Sequence, residues 1–256
     1  MRAINGVESE MSVHMRPQDW AFFGAAGLAL FTVTATVQGW GVGALAGLAL
    51  TAIVGWASHA LSRRYPGPMP HIFRWGLLWP RGLLSPRRLK AILEPRSGER
   101  ILELGPGIGV HALPVATSLA PSGTLDVLDV QQPMLDHLAR RAARAGVVNI
   151  VPTTGDGQRP LPYPSATFDG AYLIDTLGEM PDATAVLHEL RRTLKPGGRL
   201  VVGEHFLDPD FVSLRLLKRR AQAAGFVFER RSGNALIYLT RFRTPSSRTK
   251  AACDSE

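Results

Sequence analysis

The chain has 256 residues, of which 45% are apolar, and a formal net charge of +8. That length buries a full α/β core with residues left for a second, smaller element, while the single cysteine, Cys253, excludes an internal disulfide and a cysteine-based metal site. Lys90, Lys195, Lys218 and Lys250 are the only lysines, and an arginine-skewed excess with no aromatic-interleaved basic stripe argues against a nucleic-acid partner; a basic surface beside a membrane accounts for the charge better.

Residues 1–19 are polar, mixed in charge and without apolar period, which predicts a disordered head. From Trp20 to Ser62 there is no Asp, Glu, Lys or Arg. Gln38-Gly39 divides this run into Trp20–Val37 and Trp40–Ala57, 18 residues each, or about 27 Å of helix against a hydrocarbon layer of ~30 Å. The expectation is a transmembrane helical hairpin over residues 20–62, with Gly43 and Gly47 spaced for close helix approach and Trp20, Trp40 and Trp56 as interfacial anchors. A signal peptide is disfavoured because a second apolar segment follows at once, and a soluble hairpin because no polar face is left. Arginines crowd both ends of the run, which predicts a location at the cell membrane with both termini and the following domain cytoplasmic.

Residues 63–95 form a connector, rich in proline, arginine and tryptophan, that ends in a helix opened by Ser85-Pro86 and running through Leu93. The folded domain is expected over 96–243. It starts with the stretch around which the chain is organised, Arg100 to Gly109: a strand containing Ile101, Leu102 and Leu104, then Glu103 and a turn with Gly105, Gly107 and Gly109. Glycines let a ligand approach the main chain, N–H groups at the next helix start favour an anionic group, and Glu103 offers a carboxylate to a cationic one. A dinucleotide fingerprint would need its third glycine at the position of Val110, so that reading loses ground.

A helix from His111 to Leu119 and a strand Leu125–Asp129 come next. A carboxylate closing the second strand has the place of the ribose-binding acid in related nucleotide folds. Helix Pro133–Ala145, strand Ile150–Pro152 and the turn Gly155-Asp156-Gly157 follow, and Asp156 is a candidate acceptor for an adenine amino group. Strand Gly170–Ile174 runs into the loop Leu177–Asp182; helix Ala183–Leu194, Lys195-Pro196-Gly197-Gly198 and strand Leu200–Gly203 come after it. This alternation implies a parallel sheet with right-handed crossovers. Helix Phe211–Ala224 and an antiparallel pair, Val227–Arg231 and Ala235–Phe242, complete the domain, and 244–256 is polar and expected to be disordered.

The ordered set Ile101–Gly109, Asp129 with Met134-Leu135, Gly155-Asp156 before Leu161-Pro162, Phe168-Asp169 and Leu194 to Gly198 resembles class I S-adenosylmethionine-dependent methyltransferases, in particular the UbiE-like, quinone- and menaquinone-methylating branch. Pro68 to His71, Leu177–Asp182, Asp208-Pro209-Asp210 and Gly233-Asn234 are similar to a prokaryotic group of that superfamily. The likeness spans about 66 to 243 and leaves the hairpin outside. It implies a Rossmann-like α/β sheet of seven strands in the order 3-2-1-4-5-7-6 with the last strand antiparallel, and S-adenosylmethionine bound at Glu103, Gly105, Gly107, Gly109, Asp129, Val130, Asp156 and Gly157.

Methyl transfer from a sulfonium needs positioning and exclusion of water more than a base. If the acceptor is a phenol, thiol or carbon acid, Glu179 and His205 are the candidate bases, each following a strand at the active edge. Glu204-His205 is equally readable as a structural strand end, and Glu179 as a loop brace. His71, His111, Asn234 and Tyr238 are candidates to line the acceptor pocket. No metal site is expected. A pocket beside a bilayer favours a small lipophilic acceptor such as a quinone, lipid, phenol or thiol. The competing reading is a membrane-tethered S-adenosylmethionine-binding scaffold without catalysis.

Overall fold

The computed structural model describes residues 41–64, 67–69, 82–157 and 160–245, together with scattered positions between 24 and 38. The expected head, most of the connector between 65 and 81 and most of the tail lie outside the described residues.

Seven strands form one sheet: β1 Arg100–Leu104, β2 Thr124–Asp129, β3 Ile150–Thr154, β4 Phe168–Ile174, β5 Leu194–His205, β6 Val227–Gly233 and β7 Ile237–Arg243. They lie in the order β3-β2-β1-β4-β5-β7-β6. The first five pair parallel with one another, and β7 is antiparallel to both β5 and β6. This is the order that the resemblance implies. β1 and β4, at the centre, are buried along almost their whole length, as expected of parallel strands with helices on both faces. β5 begins six residues earlier than its apolar run, because Leu194 pairs with Phe168 before the register shifts and Arg199 pairs with Gly170. The Lys195 to Gly198 turn is thereby drawn into the sheet.

Two apolar layers cover the faces. On one side Val186, Leu187 and Leu190 of α5 (Ala183–Thr193) and Leu217 and Ala221 of α6 (Leu214–Ala223) pack on the sheet. On the other, Leu89 and Leu93 of α2 (Pro86–Leu93), Val115 and Leu119 of α3 (Ala112–Leu119) and Leu135 and Leu138 of α4 (Gln132–Arg144) do the same. Each such leucine contributes about 1.5–3 kcal/mol by leaving water. Proline stands in the first turn of α2 and α4, where a missing N–H costs nothing. Asp182 caps α5 by accepting the N–H groups of Thr184 at 3.0 Å and Ala185 at 2.9 Å. Ser85 precedes α2 in an extended conformation without a side-chain cap bond.

The hairpin expectation needs correction. α1, Gly41–Arg64, is a helix over the second apolar segment, and described helical positions of the first segment pack on it: a Cβ on Gly24 would lie 3.6 Å from Val54 Cγ1, and one on Gly47 would strike the Thr32 side chain. Among the described residues, however, no helix is long and apolar enough to cross a membrane. Glycine and alanine fill much of α1, and they supply little apolar surface per residue.

The amino-terminal edge of the sheet carries ion pairs. Arg241, 3% exposed, has Nε 2.6 Å from Glu229 Oε2 and Nη1 2.9 Å from Glu94 Oε2, and it donates to the Ile92 carbonyl at 2.9 Å. Hydrogen bonds from Arg241 first and Arg230 second hold the Glu94 carboxyl down at about 2, against a usual 4.5. A depressed carboxylate stabilises the fold fully above its unfolded value and loses that contribution as pH falls toward the folded one. Arg241→Met is therefore expected to lower unfolding free energy by roughly 1–3 kcal/mol in urea titrations at pH 7, and to flatten the acid destabilisation between pH 4.5 and 2. Equal slopes in both proteins over that window would contradict the assignment.

Candidate functional site

The turn after β1 is built so that only glycine fits. Gly105, Gly107 and Gly109 have φ of +66°, +52° and +79°, a region costly for any residue with a Cβ. Space imposes the same demand, since a Cβ on Gly105 would lie 2.5 Å from Thr176 Cγ2 and one on Gly109 2.8 Å from Leu138 Cγ. The turn is bound to the neighbouring strand. Gly105 donates to the Leu128 carbonyl at 2.9 Å, and the Asp129 carboxylate accepts from the Gly107 N–H at 3.3 Å and the Gln131 N–H at 2.9 Å.

Two buried carboxyls lie under this turn. Asp129 is 7% exposed, and burial pushes it up to about 6 against the pull of N–H groups from Gln131, Gly107 and Val130. Glu103 is pushed up to about 8, by burial first and then by the nearby Asp129 charge, although the Tyr172 hydroxyl donates to it at 2.7 Å. The sheet register sets Glu103 beside Tyr172 on β4. Glu103 therefore supports the turn from below, where a side chain has little access to solvent.

The residues around Asp129 fit a nucleoside. Gln131 is buried, and among the described residues its Oε1 has no hydrogen-bond partner, an arrangement that costs free energy until a donor arrives. Its Nε2 donates to the Met69 carbonyl at 2.9 Å, and the Met69 N–H donates to Glu179 Oε1 at 3.3 Å. Met69 is thus a strap, its carbonyl held beside the Asp129 turn and its N–H by the loop after β4. One of the two expected bases, Glu179, spends an oxygen on this strap. Asp156 lies in the turn after β3, which is tied to the same place by the Gly155 N–H donating to the Asp129 carbonyl at 3.0 Å. A Cβ on Gly157 would stand 3.0 Å from Met180 Cε.

Thr176, against Gly105, leads to the other expected base. Asp175, just before it, takes φ of +53° without being glycine, and its Oδ1 lies 2.9 Å from His205 Nδ1 at the end of β5. Adjacent strands β4 and β5 make this pair; it joins residues 30 apart in the chain. Three expected pocket residues serve elsewhere. His111 Nε2 lies 2.7 Å from the Leu84 carbonyl, the Tyr238 hydroxyl donates to the Val212 carbonyl at 2.6 Å, and Asn234 Oδ1 accepts from Leu236 and Ile237 in a turn. His71 lies outside the described residues. Gln131, Asp175 and Thr176 were not singled out by sequence. Asp175 and Thr176 stand directly past a buried strand at the carboxyl edge, which is the signal that marks them.

Residues 101–198 match the protein family described as a methyltransferase domain. The chain is 32% identical to 27-O-demethylrifamycin SV methyltransferase of Amycolatopsis mediterranei over 54% of its own length and 50% of the relative. It is 31% identical to the ubiquinone/menaquinone biosynthesis C-methyltransferase UbiE of Pasteurella multocida over 48% of its length and 49% of that relative. It therefore spans about half the length of the curated relatives it matches. Its fold is similar to that of an S-adenosylmethionine-dependent methyltransferase from Aquifex aeolicus, with a TM-score of 0.63 at 18% identity over 69% of this chain and 98% of the other. Family match and fold together imply S-adenosylmethionine as the cofactor.

A ribose bound to Asp129 requires the ionised carboxylate. Below about pH 6, affinity for S-adenosylmethionine is accordingly expected to fall by up to about tenfold per unit in calorimetric titrations. Asp129→Asn should weaken it roughly 100-fold at pH 7.5, the loss of two charge-assisted bonds. Affinity indifferent to both changes would remove Asp129 from the site.

Proposed function

We propose that this chain is a membrane-associated methyltransferase that moves a methyl group from S-adenosylmethionine to a small lipophilic acceptor. The observation that carries the reading is the turn at Gly105 to Gly109, tied through its Gly107 N–H to a buried Asp129 and flanked by the unsatisfied Gln131 Oε1. Asp129 would accept the ribose hydroxyls, with Val130, Asp156 and Gly157 beside the base. Gln131 Oε1 would accept one more donor, and Glu103, held by the Tyr172 hydroxyl, would support the turn from below. When bound, the cofactor supplies a methyl group already activated by the sulfonium, so the chain's own part is to bind, orient and keep water out. The strap at Met69 favours exclusion of water, since it lies between Gln131 and Glu179.

The named substrates of the relatives, a demethylrifamycin and ubiquinone or menaquinone precursors, are small molecules with apolar bodies, which supports an acceptor of that class. Association with a membrane rests on α1. Val42 is 85% exposed, Leu45 70% and Trp56 73%, a run of apolar side chains on a helix that ends at Arg63-Arg64. Such a surface is at home against lipid whether or not it crosses the bilayer.

The test is incubation of the purified full chain with methyl-labelled S-adenosylmethionine and two acceptor pools, a lipid extract and a soluble metabolite extract, with and without liposomes. Label is expected in the lipid extract, and the protein is expected to sediment with liposomes. Replacing Val42, Leu45 and Trp56 by serine should reduce sedimentation severalfold while leaving cofactor affinity unchanged. Label confined to soluble metabolites, with no sedimentation, would contradict the acceptor class and the location. Cofactor binding without any label in either pool would favour the non-catalytic scaffold.

A further inference from the structure

β4 and β5 leave the sheet side by side, and the turn after β5 folds back on its strand end. Asp208 returns there because its N–H donates to the His205 carbonyl at 3.0 Å, while its own Oδ1 accepts from the Asp210 N–H at 2.8 Å, which sets the direction of the carboxylate. Asp175 is held by its N–H donating to the Gly203 carbonyl at 2.9 Å, at a φ of +53° that a residue with a Cβ adopts at a cost. These ties bring one ligand atom each from Asp175, His205 and Asp208 within 4.8 Å of one another. Asp175 Oδ1 and His205 Nδ1 stand 2.9 Å apart, the spacing of adjacent ligands on an octahedral ion with bonds of ~2.1 Å.

Glu204 completes the arrangement. The register that pairs Ile174 with Gly203 sets Glu204 level with Asp175. Glu204 is 1% exposed; its Oε2 accepts from the Val212 N–H at 3.2 Å, and among the described residues its Oε1 has no hydrogen-bond partner. Burial first, then the Asp175 and Asp208 charges, push the Glu204 carboxyl up. Burial first, then Asp175, push Asp208 up too, with His205 opposing. Even a protonated His205 offsets one of these three carboxylates. The place thus lacks positive charge and a hydrogen-bond donor, and a hydrated divalent cation supplies both: its charge balances two carboxylates, and a water on it is a donor to the buried Oε1.

We propose that Asp175, His205 and Asp208 bind one divalent cation, manganese or zinc in preference to magnesium, and that Glu204 Oε1 accepts from a water on that ion. The preference follows from the nitrogen. Imidazole suits zinc, carboxylates suit manganese, and magnesium is bound through oxygen and gives up its waters reluctantly. On binding, His205 Nδ1 gives its lone pair to the ion, and the hydrogen of its contact with Asp175 passes to solvent. Three protein ligands leave the remaining positions to water. The ion ties the turn after β5 to the exit of β4, one residue from Thr176 and the glycine turn that Thr176 touches. No atom of S-adenosylmethionine takes part, so the metal site stands or falls apart from the methyltransferase reading.

The test titrates the untagged full chain, stripped of metal, with manganese chloride, followed by calorimetry and electron paramagnetic resonance; zinc and magnesium chlorides are compared. One manganese per chain is expected, with spin-echo coupling to a histidine nitrogen that disappears in His205→Gln. Asp175→Asn and Asp208→Asn should each weaken manganese at least tenfold, and Glu204→Gln roughly tenfold. Manganese at about 100 times its Kd should raise the wild-type Tm by roughly 5–10 °C and leave that of Asp208→Asn nearly unmoved. If a variant does not fold, the nitrogen coupling in the wild type decides alone. Manganese held without that coupling, an unchanged affinity in folded Asp208→Asn, magnesium held as tightly as manganese and zinc, or no ion held at all would each overturn the proposal. A wild-type chain that holds the ion and binds no S-adenosylmethionine would instead sink the methyltransferase reading and leave the metal site standing.

Discussion

The hydrogen bond from the Gly107 N–H to the Asp129 carboxylate joins the ends of two adjacent strands and fixes the shape of the turn between them. The surrounding arrangement depends on it. Asp129 is buried at the cost of ionising less readily, the Gln131 N–H is drawn to the same carboxylate, and Gln131 in turn holds Met69 across the site. A carboxylate that already has N–H partners is fixed in direction, so a ligand hydroxyl meets an oriented acceptor with little ordering left to do.

The two edges of the sheet divide the work. At the amino-terminal edge, Arg199 pairs with Glu99, Lys195 with Asp169, and Arg241 with Glu94 and Glu229. These are opposite charges in contact, and the carboxyls among them that move at all are held low. At the carboxyl edge, carboxyls lie near other carboxyls, and Glu103, Asp129, Glu204 and Asp208 are all pushed up by burial. Carboxyls that burial keeps near their neutral point are expensive for stability, and such clusters mark places where chemistry is done. The sheet thus gains stability at one end and spends some of it at the other.

Much of the architecture was legible in the chain because it depends on local pattern. Buried parallel strands read as short apolar runs, the glycine turn as a steric requirement, and the ordered motifs implied the strand order seen here. What sequence did not disclose depends on neighbours across the sheet. Nothing local links Glu103 to Tyr172 or Asp175 to His205; strand register makes both pairs. Glu179 and His205 were both candidates in sequence, and the fold gives each a partner that sequence did not show: the Met69 N–H for the first and the Asp175 carboxylate for the second. Tyr238 and His111 looked available for a ligand until their partners, backbone carbonyls of distant residues, were in view. The apolar run before the domain was read from its absence of charge, and among the described residues no helix there is long and apolar enough to cross a membrane.

The most direct measurement is a crystal structure of the full chain with S-adenosylhomocysteine. The account predicts both ribose hydroxyls on the Asp129 carboxylate, a ligand donor on Gln131 Oε1, and the main chain of Gly105 to Gly109 against the amino-acid end. A nucleoside lodged anywhere else would contradict it.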